Sequence, residues 1–168
     1  RLDEQLGLMH DNNQYLRLPS PFKLDQVDFI VAKLKHSPVQ VQDHTKEVAS
    51  ELLKRIKISD GTLVLFASNN QMQLVADLVE KKLDCELLVQ GEYSKKVIIE
   101  RHIKHCKKGK GSVIFGLDSF AEGVDLKGDL LRHVIIAKLR FSVPTSPIEK
   151  TTHEFLKSQN RNPFMEIS

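Results

Sequence analysis

At 168 residues the chain suits one domain with a small appendage, and its core needs no disulfide or metal to hold it. Apolar residues make up 40% and charged residues 28%, an ordinary globular balance, and no stretch nears the ~20 apolar residues of a spanning helix, so no membrane partner is expected. The net charge of +3 is weak evidence, and the two cysteines, Cys85 and Cys106, lack metal-site spacing, which points to a reducing, cytoplasmic setting.

No signal peptide opens the chain, and its first residue, Arg1, reads as a point inside something longer. Residues 1–40 differ from the rest. The run Leu16-Arg17-Leu18-Pro19-Ser20-Pro21-Phe22 must be extended around its prolines, and residues 27–34 are expected to form a strand. This segment is expected to be an arm that packs on the domain formed by residues 41–168.

A regular pattern begins near residue 43. Val48, Ala49, Leu52, Leu53 and Ile56 share one face of a helix predicted over 44–58, which Asp60-Gly61 ends. Residues 62–67 form a nearly continuous apolar run, as a parallel strand covered on both faces would. Ser68 is placed to cap a helix burying Met72, Val75, Ala76, Val79 and Leu83. A short strand over 86–90, a helix over 94–106, a buried strand over 112–117 and a strand over 133–139 follow. Pro144 and Pro147 are expected to open a last helix that runs to about residue 158. Alternating strands and helices with short connections predict an α/β domain, with a mostly parallel sheet flanked by helices on both faces. Ligands of such sheets meet the loops at the carboxyl ends of the strands. Three loops qualify, after residues 67, 90 and 117.

The chain has no phosphate-binding Gly-x-x-x-x-Gly-Lys run and no nucleophile elbow. His102, His105 and Cys106 fall on one side of a helix but lack a fourth ligand, so no metal site is assigned. Between residues 94 and 111 lie Lys95, Lys96, Arg101, Lys104, Lys107, Lys108 and Lys110, with Glu100 the only acid. Such a cluster can hold a phosphate chain or can be a solvated helix face. The densest polar signal is residues 116–129, which combine Ser119 with Asp118, Glu122, Asp125 and Asp129 around Gly123 and Gly128. Glycines let the backbone approach a ligand and the serine can hold a phosphate oxygen, whereas the carboxylates must orient water, hold a partner's arginine or fix the loop. A surface loop whose acids cap the next turn carries the same pattern.

The stretch Phe120-Ala121-Glu122-Gly123-Val124-Asp125-Leu126-Lys127-Gly128-Asp129-Leu130-Leu131 resembles the motif V region of the DinG and XPD group of superfamily-two helicases. Many members carry tryptophan where Ala121 stands. Leu65-Phe66-Ala67-Ser68 resembles motif IV, Leu87-Leu88-Val89-Gln90-Gly91 the strand and turn after it, and Leu18-Pro19-Ser20-Pro21-Phe22 the lead-in from the first motor domain. Residues 155–164 resemble the stretch before motif VI, so the likeness runs along nearly the whole chain in family order.

The resemblance implies a RecA-like second motor domain, truncated before motif VI, of an ATP-dependent helicase that moves 5′-to-3′ on single-stranded DNA and acts on forked or structured DNA in repair or replication. Ser68, Asn69, Gln90 and Ser119 are the implied phosphate contacts, with Lys104, Lys107, Lys108 and Lys110 as a further basic patch. Glu122, Gly123 and Asp125 are implied to couple the DNA side to the nucleotide side. ATP and Mg2+ would be shared with the first motor domain, and a 4Fe-4S cluster would lie upstream. The chain alone is therefore expected to be inactive, and the whole protein to be bacterial and nucleoid-associated. A motor-dead nucleic-acid-binding module and an unrelated α/β regulatory domain are the alternative readings.

Overall fold

The computed structural model describes residues 16, 18–21, 24–139 and 146–163. Phe22, Pro144 and Phe164, which entered the sequence reading, lie outside the described residues. The chain divides between Ala32 and Lys33 into two units. In the first, the one helical element among the described residues is a short 3-10 turn, Leu24–Gln26. The strand expected over 27–34 is absent, and Val27, Phe29, Ile30 and Val31 are all exposed. An apolar run becomes a strand only when a neighbouring strand takes up its backbone hydrogen bonds, and no described strand does so here.

The second unit carries the α/β fold. Its elements are α1 (Val41–Arg55), β1 (Gly61–Leu65), α2 (Asn69–Val79), β2 (Glu86–Val89) and α3 (Lys95–Cys106). After these come β3 (Ser112–Gly116), the one-turn helix α4 (Asp118–Ala121), β4 (His133–Ile136) and α5 (Pro147–Ser158). The four strands form one sheet in the order β2-β3-β1-β4, and every pairing is parallel. Leu63 sits between Ile114 on one side and Val134 on the other, so β1 is hydrogen-bonded along both edges.

Double coverage explains the continuous apolar strands. Val64, Phe66, Val113 and Phe115 face one layer with α1 and α2, where Leu52, Met72, Val75 and Val79 complete the core. The Phe66 and Phe115 rings meet there at 5.0 Å between centroids, tilted by 55°. Leu63, Leu88 and Ile114 face the other layer with Ile98 of α3, Phe120 of α4 and Leu126. Ser68 caps α2 by accepting the Gln71 N–H at 3.4 Å, and Ser94 caps α3 through the Val97 N–H at 3.4 Å. Ser146 and Glu149 form a reciprocal capping box at the start of α5, where Pro147 occupies the first turn.

The last expected strand, 133–139, stops at Ile136. Its partner β1 ends at Leu65, which still accepts the Ala137 N–H at 2.9 Å, and the chain after β1 then turns into α2. No described strand remains for residues 138 and 139 to pair with.

His102 fixes the approach to β4. It is wholly buried in α3, and its Nε2 lies 2.6 Å from the Leu130 carbonyl oxygen, so that nitrogen carries the proton and donates. Its Nδ1 is buried with no hydrogen-bond partner among the described residues. Burial, the largest cause, holds its pKa below the ordinary value of 6.5. A second proton would have to sit on Nδ1, where nothing accepts it.

Two outcomes follow from this packing. A Cβ on Gly116 would stand 2.6 Å from Phe120 Cβ, so Gly116→Ala should cost about 1–3 kcal/mol of overpacking, measured as a lower urea midpoint. For His102, a depressed folded pKa means the unfolded chain takes up the proton first. Its contribution is complete above the ordinary value of 6.5 and declines as the pH falls below that. The urea midpoint should therefore drop between about pH 7.5 and about pH 5.5, and His102→Gln, which keeps a donor but cannot titrate, should make the drop smaller.

Candidate functional site

Because the strands are parallel, their carboxyl ends share one edge of the sheet. Three loops leave from it. The first holds Ser68 and Asn69, both exposed at the start of α2. The Ser68 oxygen accepts the cap hydrogen bond, which leaves its O–H free to donate outward.

The second loop follows β2. Gln90 donates its backbone N–H to the Phe115 carbonyl at 2.9 Å, which carries the ladder one residue past the strand. Its side-chain Oε1 accepts the Leu117 N–H at 2.8 Å, across 27 residues of sequence. The carboxamide oxygen is thereby committed to the third loop, while the amide NH2 is the end that could meet a phosphate. Gly91 follows at φ +104°, and Ser94 and Lys95 start α3.

The third loop follows β3 and is the most built of the three. Phe120 is 2% exposed and folds back against Gly116, and α4 touches the ends of both β1 and β3. This turn leaves Ser119 exposed on the outer side. Gly123 has φ +67°, a left-handed conformation that a side chain would strain. Lys95 Nζ donates to the carbonyl of Ser119 and, at 3.0 Å, to that of Glu122. The same ammonium lies 5.3 Å from the Phe120 ring centroid.

Glu122 and Asp125 are exposed, and the Asp125 carboxylate pairs with Lys127 at 3.3 Å with both side chains largely in solvent. A pair so exposed adds little to stability. The backbone of this loop is held from outside, by Gln90 and Lys95, while Glu122 and Asp125 are exposed.

Beside the first loop lies a cavity of about 160 Å³, lined by Val41, His44, Ser68, Asn70, Gln71 and Lys138 among others. Buried His44 accepts the Gln71 side-chain N–H on Nδ1 at 3.1 Å. Burial first, and Lys138 second, hold its pKa below the ordinary value, so it is neutral.

Ser68, Asn69, Gln90, Ser119, Glu122, Gly123 and Asp125 thus belong to loops on one edge of the sheet. Lys104, Lys107, Lys108 and Lys110 do not. Helix α3 runs back against the strands, so its last turn and the turn into β3 lie at the amino end of the sheet, where Gly111 donates to the Ile58 carbonyl. Of the three candidate ligands His102, His105 and Cys106, His102 bonds Leu130 with Cys106 Sγ 3.7 Å from its Nε2, whereas His105 turns to Glu86 at 3.6 Å. Lys95, His44 and Lys138 are the site residues the sequence reading missed. Lys95 was visible only as one member of a basic cluster, because its partners lie 24 and 27 residues away.

The chain is similar to two bacterial proteins named ATP-dependent DNA helicase DinG. It is 41% identical to that of Photobacterium profundum over 169 residues and 39% identical to that of Escherichia coli over 170 residues. Each alignment covers 98% of this chain and 24% of the relative, so the chain spans about a quarter of their length. The profile of the helicase C-terminal domain matches residues 49–168, from inside α1 through α5 to the end. With its parallel sheet, helices on both faces and three loops on one edge, this RecA-like α/β chain belongs to the helicase C-terminal domain family.

Proposed function

We propose that this chain is the second motor domain of an ATP-dependent DNA helicase that moves on single-stranded DNA. Residues 1–40 would be the lead-in from the first motor domain and residues 41–168 the domain itself. The observation that carries the reading is the match along 98% of the chain to helicases, joined to loops that gather hydroxyl and amide donors on one edge. Travel in the 5′-to-3′ direction, action on forked or structured DNA and a role in repair or replication extend the same reading.

Each residue then has a task. The Ser68 and Ser119 hydroxyls, the Asn69 side chain and the Gln90 amide donate to backbone phosphates, which positions a strand without reading its bases. Glu122, Gly123 and Asp125 lie farther along the third loop and link strand contact to the nucleotide side. Lys104, Lys107, Lys108 and Lys110, at the other end of the sheet, add long-range attraction that salt screens.

ATP with Mg2+ supplies the free energy of the stroke when bound between the two motor domains. The third loop fits a half-site of that kind. Glu122 and Asp125 face solvent, and a Cβ built on Gly123 meets nothing closer than Lys95 Nζ at 3.9 Å. A second domain can therefore close over this loop. An iron–sulfur cluster finds no ligand set among the described residues, where Cys85 and Cys106 are half-buried and burial pushes both thiols up; on this reading it would lie upstream.

In the full-length protein, Ser119→Ala should weaken single-strand binding by about 1 kcal/mol, roughly fivefold, for one lost hydrogen bond. Asp125→Asn should leave strand binding nearly intact and lower DNA-stimulated ATP turnover by ~10²-fold, about 2.7 kcal/mol of transition-state stabilisation. Strand affinity and turnover measured side by side decide the matter. An Asp125→Asn enzyme that hydrolyses ATP and unwinds at the normal rate would remove the coupling role.

A further inference from the structure

We propose that Lys95 is a positioning residue that latches the third loop to the start of α3, so that strand contact and nucleotide coupling are set by one side chain. The inference rests on the helicase reading above for its consequence, but on contacts within this chain for its geometry.

Three contacts converge on the ammonium. It donates to the Ser119 and Glu122 carbonyls and lies over the Phe120 ring. Those carbonyls bracket the end of a one-turn helix too short to satisfy them internally. An ammonium has three donors on a flexible stem and can hold two oxygens that diverge. Its neighbour Lys96 does nothing comparable among the described residues: it is exposed and pairs with Glu100, one turn on, at 4.0 Å.

The latch is also local. Phe120 stays buried by its own packing on Gly116, and the Gln90 carboxamide still holds the Leu117 N–H. Beyond Phe120 the situation changes. Gly123 has no side chain, and the atom nearest its built Cβ is Lys95 Nζ. Glu122 is exposed, Asp125 pairs with nearby Lys127, and Val124 packs partly buried against the second layer. Loss of the ammonium therefore frees residues 121–123, between buried Phe120 and partly buried Val124, without unseating the sheet. The Ser119 hydroxyl sits on one of the latched residues and Gly123 directly follows the other. Their separation, and hence the alignment of the strand contact with the nucleotide side, depends on Lys95.

The test uses the full-length helicase as wild type, Lys95→Met and Lys95→Arg. Hydrogen exchange without DNA or nucleotide should rise at least tenfold over residues 121–123 in Lys95→Met, while β1 and β3 keep wild-type protection. DNA-stimulated kcat should fall about tenfold, with KM for ATP within twofold of wild type. Lys95→Arg, which still donates to two oxygens, should restore most of both. Unchanged exchange in the loop, exchange that rises equally across the sheet, or a kcat loss that arginine does not restore overturns the proposal. Wild-type enzyme without DNA-stimulated ATPase would instead overturn the helicase reading, and the exchange result would still decide whether Lys95 holds the loop.

Discussion

The end of β3 is shaped for a glycine. Phe120 returns from the following turn so closely that a Cβ on Gly116 would meet Phe120 Cβ at 2.6 Å. That approach buries the ring to 2% exposure in the second layer, beside Leu63, Ile114 and Ile98. It also folds the chain back sharply, which sets the Ser119 and Glu122 carbonyls within reach of Lys95 and leaves the Ser119 side chain facing out. The third loop is thus anchored by an apolar contact beneath and tied by polar contacts above. The first depends on close packing, where a single methyl group is felt. The second depends on hydrogen bonds to a cation, which are stronger than neutral ones.

The sheet separates two kinds of chemistry. At its carboxyl edge are neutral hydroxyls and amides with two separate ammoniums, Lys95 and Lys138, while Glu122 and Asp125 are exposed. At its amino edge are the lysines that end α3. Parallel strands enforce this division, since each crossover helix must carry the chain back to the starting edge. A motor that grips a strand and releases it each cycle is better served by several modest contacts than by a block of fixed charge, because a tight electrostatic grip would slow release. The open third loop is consistent with a site completed from outside this chain.

Much of this was legible in the residues. Residues 62–67 and 112–117 are apolar apart from buried Thr62 and Ser112 because both faces of β1 and β3 are covered, and the caps at Ser68 and Ser94 mark where helices begin. Ends were harder to read. Residues 133–139 and 27–34 both look like strands, but strand length is set by the partner, and β1 runs out beside Ile136 while no described strand flanks the second run. The basic cluster was legible as charge but not as location, because only the direction of α3 shows which end of the sheet it occupies. Gln90 and Lys95 were hardest. Each acts on a loop more than twenty residues away, and neither composition nor periodicity carries that information.

The central claim is that the carboxyl edge, and not the lysine-rich amino edge, receives the strand. Photo-crosslinking in the full-length protein tests it directly, with a benzophenone side chain placed singly at Asn69, Ser119 or Lys108 and a labelled single-stranded oligonucleotide. Covalent capture at positions 69 and 119 and none at 108 is the predicted result. Capture at 108 with none at 69 or 119 would place the strand on the wrong end of the sheet and contradict the account.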